Sequence, residues 1–170
     1  MIRLLPETVA SLRDRLRDRG APASVGRPSP LMMSDPEAAF LLEEYGPLAE
    51  VMYLVMAADG DVSQIERDVI RGALRELDDR IRSAHFVAML ERAEKNASDE
   101  GATARLHAVA RAMHDDPVRG EVAYVLACAV AFADDTITSG ENILLDDFAE
   151  ALGIDEAQSE ALMRQLITRK

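Results

Sequence analysis

Ala57-Ala58-Asp59-Gly60-Asp61-Val62-Ser63-Gln64-Ile65-Glu66 decides the reading of this chain, because a second stretch lies over it when the sequence is shifted by 75 residues. Set against residues 58–66, that second copy is Ala133-Asp134-Asp135-Thr136-Ile137-Thr138-Ser139-Gly140-Glu141. The flanking apolar positions correspond as well: Val51 with Leu126, Val55 with Val130, Val69 with Leu144, Ile70 with Leu145, and Leu77 with Leu152. Each copy reads as a helix, a short acidic turn and a second helix. Neither hairpin can bury its apolar stripe alone, so the two are expected to pack against one another around a pseudo-twofold axis.

Outward from the repeat, the punctuation of the sequence draws further helices. Six of the seven prolines (6, 22, 28, 30, 36, 47) fall in the first 47 residues, which leaves only Pro117 to interrupt the rest. Helices are predicted at 47–58, 64–77, 82–97, 102–113, 117–133, 139–152 and 156–168, preceded by one that opens on a Ser34/Glu37 capping box and stops at Gly46-Pro47. Asp116 before Pro117 caps a helix start, Gly153 with Ile154 ends a helix, and Asp155 with Gln158 opens the last one. Gly72 and Gly140, both within predicted helices, suggest close helix contact. No run alternates with period two, so the fold class is all-α: a compact helical bundle of about eight helices with an internal helical-hairpin repeat.

At the N-terminus, Ile2, Leu5, Val9, Leu12 and Leu16 form a narrow stripe on a helix over 2–19, with arginines opposite. Residues 20–33, with three prolines and no periodicity, read as a linker. The expected division is therefore 1–33, a basic amphipathic helix and Pro-rich linker acting as a separable docking element that either folds back on the acidic body or reaches another molecule, and 34–170, the helical domain.

A chain of 170 residues suits one core, which at this size buries roughly 70% of the unfolded surface. Six arginines against Glu7, Asp14 and Asp18 give the first 30 residues a charge of +3 and leave −15 for the other 140. An acidic body of this kind repels nucleic acid and favours cations and basic partner surfaces. The lone Cys128 lies in an apolar run and has no partner in the chain, which points to a buried, unreactive thiol in a reducing compartment. No apolar window is long enough for membrane insertion, and the arginine-rich start does not resemble an export signal. There is no phosphate-binding glycine loop, serine elbow or Cys-His pair, and His85, His107 and His114 lack metal-type spacing. No catalytic residue is assigned, and the chain is not expected to be an enzyme.

The acidic turns have a structural explanation that covers most of their residues. Ser63 with Glu66, and Thr138 with Glu141, stand three apart at a helix start, the spacing of a capping box, whose cap contributes about 0.5 to 2 kcal/mol. Val62 and Ile137 precede those caps as candidate hydrophobic staples. Asp59 and Asp134 are not explained by capping, because the macrodipole disfavours an anion at a helix C-terminus by about 0.3 to 1 kcal/mol. Either these carboxylates accept from the next helix or a cation sits there. Hard oxygen ligands from Asp59, Asp61 and Glu66, or from Asp134, Asp135 and Glu141, suit a divalent cation of Ca or Mg type. A standard calcium loop is excluded, because counting from Asp59 the sixth place is Gln64 and the twelfth Ile70. Asp146 and Asp147 read as a solvated helix face.

Three segments carry a resemblance: A-A-D-G-D-V-S-Q-I-E at 57–66, F-A-D-D-T-I-T-S-G-E at 132–141 and L-G-I-D-E-A-Q at 152–158. They resemble the TerB-like (tellurite-resistance B) domain and are also similar to the N-terminal part of DjlA-type DnaJ co-chaperones. The resemblance covers residues 36–168, and its second copy departs from the family pattern with Asp135 and Thr136 where Gly and an acidic residue are usual. It implies an all-helical, non-enzymatic, cytoplasmic bacterial protein associated with resistance to tellurite and other stresses. It also implies metal binding and a protein partner, membrane-associated in the systems it resembles. The rival reading is a helical protein-protein interaction module, adaptor or co-chaperone-like, whose acidic turns are purely structural.

Overall fold

Two helices are apolar on nearly every side, and the others assemble around them. The computed structural model describes residues 6–18, 35–60, 62–133 and 136–166. Its helices are α1 (Pro6–Asp18), α2 (Pro36–Met56), α3 (Gln64–Leu77), α4 (Ser83–Glu100), α5 (Ala102–Ala112), α6 (Pro117–Ala131), α7 (Ser139–Leu152) and α8 (Glu156–Met163), with no strand among the described residues. Every residue of α2 from Leu48 to Met56 is buried, and every residue of α6 from Val122 to Ala131. Helices apolar all round belong at the centre of a core. The one charge in the α2 run, Glu50, is compensated: Arg105 of α5 donates to both its oxygens at 2.7 and 3.1 Å, and Asn96 of α4 donates to Oε1 at 3.3 Å.

The packing has the symmetry that the repeat implies. α2 lies on α3 and α6 on α7 within each hairpin; across the hairpins α2 meets α7, α6 meets α3, and the two central helices meet each other. The correspondence reaches further than the hairpins, since α1 packs on α3 and α6 just as α5 packs on α7 and α2, and α4 lies on α2 as α8 lies on α6. The duplicated unit is thus four helices long. Val9, Leu12 and Leu16, the buried residues of α1, have the spacing of Leu106, Val109 and Met113 in and after α5. Arg15 of α1 pairs with Glu121 of α6, the counterpart in kind of the Arg105–Glu50 tie from α5 to α2.

The N-terminal helix is therefore folded back on the acidic body. Leu12 is 0% exposed and belongs to the same core cluster as α2 and α6. Thr8 Oγ1 also donates to the Gln165 carbonyl at 3.1 Å, joining the helix to the residues after α8. The stripe is narrow because the helix sits in a groove between neighbours, where one row of side chains fills the contact.

Other boundaries also move. The break expected at Gly46-Pro47 is absent, and α2 runs through it. A proline ring leaves the carbonyl four residues back without its amide donor. Here the Arg119 guanidinium, from the start of α6, donates to the Glu43 carbonyl at 3.2 Å and to that of Glu44, so the helix continues. The cap of α2 is Asp35, whose carboxylate accepts from the Glu37 and Ala38 amides; Ser34 lies outside the described residues. Gly72 has nothing within 4 Å of where a Cβ would stand, so no close approach explains it. The remaining signals read as expected. Asp116 accepts from the Arg119 amide, Gly153 takes φ +74° with the Ile154 amide bonded to Ala149, and Asp155 and Gln158 form a box.

Candidate functional site

The helix ends on either side of the two turns are built alike. At the end of α2 the Ala57 and Ala58 amides donate back to the Tyr53 and Val55 carbonyls at 2.9 and 3.1 Å. At the end of α6, Phe132 and Ala133 donate to Cys128 and Val130, both at 3.0 Å. The next helices start from Ser63 at φ −77°, ψ 150° and Thr138 at φ −74°, ψ 159°. Both capping boxes close. Ser63 Oγ accepts from the Glu66 amide and Glu66 Oε2 from the Ser63 amide, each at 3.1 Å. Thr138 Oγ1 accepts from the Glu141 amide at 3.2 Å, and Glu141 Oε2 from the Thr138 amide at 2.7 Å.

These bonds place the candidate ligands. Glu66 and Glu141 are 6% and 4% exposed, each with a carboxylate oxygen engaged in its own cap. Asp59 is exposed in the first turn, beside Gly60, whose φ of +82° suits a residue without a Cβ. Asp61, Asp134 and Asp135 lie outside the described residues. Among the described residues no group of three or more His, Cys, Asp or Glu is arranged to hold a metal ion. The staple expectation fails: Val62 and Ile137 are each 36% exposed, and the positions they would pack on are Arg67 and Asn142.

One contact brings the turns to the same end of the bundle. A Cβ on Gly140 would stand 2.8 Å from the Ala58 carbonyl oxygen, so the first turn of α7 is fitted against the end of α2 as only glycine allows. This is the close contact expected of Gly140 from its place in a helix.

Elsewhere the thiol of Cys128 is buried, and burial pushes it up to about 12. His85 Nδ1 accepts from the Arg82 amide at 3.2 Å in the first turn of α4, while His107 and His114 are exposed. A polar knot after α3 was not foreseen. Asp78, 5% exposed, accepts from the Arg80 amide and Nε at 3.0 Å, from Arg80 Nη2 at 2.7 Å and from the Tyr45 hydroxyl at 3.1 Å. Burial alone would raise the Asp78 carboxyl, but the Arg80 and Tyr45 donors outweigh it and hold the group below its usual range. The Tyr45 hydroxyl is pushed well above its ordinary value by burial and by Asp78. Next to this knot a cleft of about 340 Å³ opens toward α1. Arg13, Arg17 and Arg80 face Glu44, Asp78 and Asp79 around it, so its rim favours no one ligand charge. No helix among the described residues is long and apolar enough to cross a membrane.

A family model for the tellurite resistance protein TerB matches residues 47–164, a span that contains both turns and both capping boxes. The chain belongs to the TerB family. The match starts within α2, so α1 and the first part of α2 lie outside it although α1 is part of the core. Comparisons with curated proteins and with solved structures gave no match.

Proposed function

We propose that this TerB-family chain is a non-enzymatic, cytoplasmic protein that contributes to tellurite or general stress resistance by binding, at the end of the bundle where its acidic turns lie. The observation that carries this reading is the seating of Gly140 on the Ala58 carbonyl, which fixes the first turn against the start of the second hairpin's outer helix. The ligand is a divalent cation of Ca or Mg type, for which Asp59, Asp61, Asp134 and Asp135 offer hard oxygens in the sequence of the two turns; Glu66 and Glu141 each have one oxygen committed to a cap. A ligand that binds only the native state stabilises it by RT ln(1 + [L]/Kd), about 2.7 kcal/mol at a hundredfold excess over Kd. Melting in Ca, Mg, Mn and Zn against chelator tests this. Ca or Mg should raise Tm in a concentration-dependent way, and an unchanged Tm with all four ions removes the cation role.

A second reading is favoured by the closed boxes themselves. If the turns are purely structural, the protein is an interaction module, adaptor or co-chaperone-like, that recruits a protein partner, membrane-associated in the related systems. Chelator then leaves Tm unchanged while truncating either cap lowers it.

A further inference from the structure

We propose that the outer face of α7 docks a Lys/Arg-rich amphipathic helix carried by a partner protein. Ile143, Asp146, Asp147 and Glu150 stand at intervals of three, four and seven along α7 and therefore share one face. Ile143 is 60% exposed, the most of any large apolar residue described, and Ile137 is exposed just before the same helix. Asp146 and Glu150 are exposed beside it and Asp147 is half-buried. The surroundings in sequence are uniformly acidic: between Arg119 and Arg164 there are ten Asp or Glu and no Lys or Arg.

The equivalent face in the other half of the molecule has a different composition. At the four equivalent positions α3 carries Asp68, Arg71, Gly72 and Arg75. Arg71 there pairs with Asp68 at 3.3 Å and lies over the Phe86 ring of α4 at 4.9 Å, so that face holds one internal ion pair, is partly covered and carries a net charge of +1. In α7 an aliphatic side chain replaces Asp68, and carboxylates stand where α3 has arginines. A helix that sets an aliphatic residue against Ile143 and Lys or Arg three, four and seven residues along matches this row at the same rise per residue. The acidic rim repels nucleic acid and anionic lipid and steers a basic segment toward the isoleucine. None of the turn carboxylates takes part, so this docking stands or falls independently of cation binding.

The test uses the full chain and a fluorescein-labelled amphipathic helix of Leu and Lys, followed by anisotropy at physiological ionic strength. The wild type should bind, and a Leu/Glu helix should not. Ile143→Ser and the triple change Asp146→Asn, Asp147→Asn, Glu150→Gln should each weaken binding at least about fivefold. The same loss of charge elsewhere, Glu76→Gln with Glu91→Gln and Glu94→Gln, should change it by less than about twofold. Melting curves confirm that the variants are folded, as expected for changes at accessible side chains. No binding by the wild type, equal weakening by the control triple, or no effect of Ile143→Ser overturns the proposal.

Discussion

Residue 65 of the first hairpin is an isoleucine that is 55% exposed, while its counterpart in the second, Gly140, presses on the Ala58 backbone. The two helices that begin there have caps with nearly the same dihedrals and the same reciprocal bonds. Charge separates them more sharply. Residues 45–88 hold eight Asp or Glu and five Arg, whereas the equivalent 120–163 hold ten Asp or Glu and no Arg. What duplication has kept is the backbone: the bonds that end the central helices, the caps of the helices that follow and the apolar positions of the central helices. What has diverged is the surface, and the second half carries the field that attracts cations and basic partners.

The comparison breaks most visibly if α1 is not the counterpart of α5. Leu12→Ala should cost about 2 to 5 kcal/mol, as for a fully buried leucine, and deletion of residues 1–33 should lower Tm by several degrees. A Leu12→Ala protein with wild-type Tm would return the helix to a separable arm. Next in size is the asymmetric seating of the turns. Gly140→Ala drives a Cβ onto backbone and should cost about 1 to 3 kcal/mol in denaturant unfolding, against less than about 0.5 kcal/mol for Ile65→Ala. Equal effects at the two sites would mean that the turns are not fitted together in this way.

The caps sharpen the likeness instead. Ser63→Ala and Thr138→Ala should each cost about 1 kcal/mol and should agree within experimental error, since their bonds match. The smallest effect falls on a feature that one half alone possesses, the knot at Asp78. Its carboxyl is depressed in the folded state, so its contribution is fully present above the unfolded value of about 3.9 and is lost as pH falls through the lower folded value. Urea titrations between neutral and strongly acid pH should show that loss, and Asp78→Asn should flatten it.

Much of this fold was legible in the chain because it is written in local signals. A hydroxyl three residues before a glutamate, a glycine before an apolar residue, and an aspartate before Pro117 each act through neighbouring backbone, and each is found in place. Pro47 misled because its helix is continued by a donor 72 residues away, and no local rule contains Arg119. The role of α1 was hidden for a similar reason. Its longer linker shifts it out of the 75-residue register, and only packing shows that it matches α5. In the candidate site, the boxes of Glu66 and Glu141 were readable from spacing alone. The Asp78–Arg80–Tyr45 knot was not, since an Asp-Asp-Arg triplet after a helix has no distinctive pattern and its tyrosine comes from α2.

The most direct test of the binding end is an amide chemical-shift titration of the labelled full chain with calcium, repeated on Asp59→Asn. If the two turns form one cation-binding end, amides of residues 58–63 and 133–138 shift together along one saturating curve, and Asp59→Asn moves that curve to higher calcium for both turns. Shifts confined to one turn, or none in either at millimolar calcium, would contradict it and leave the caps as the whole explanation of the acidic motif.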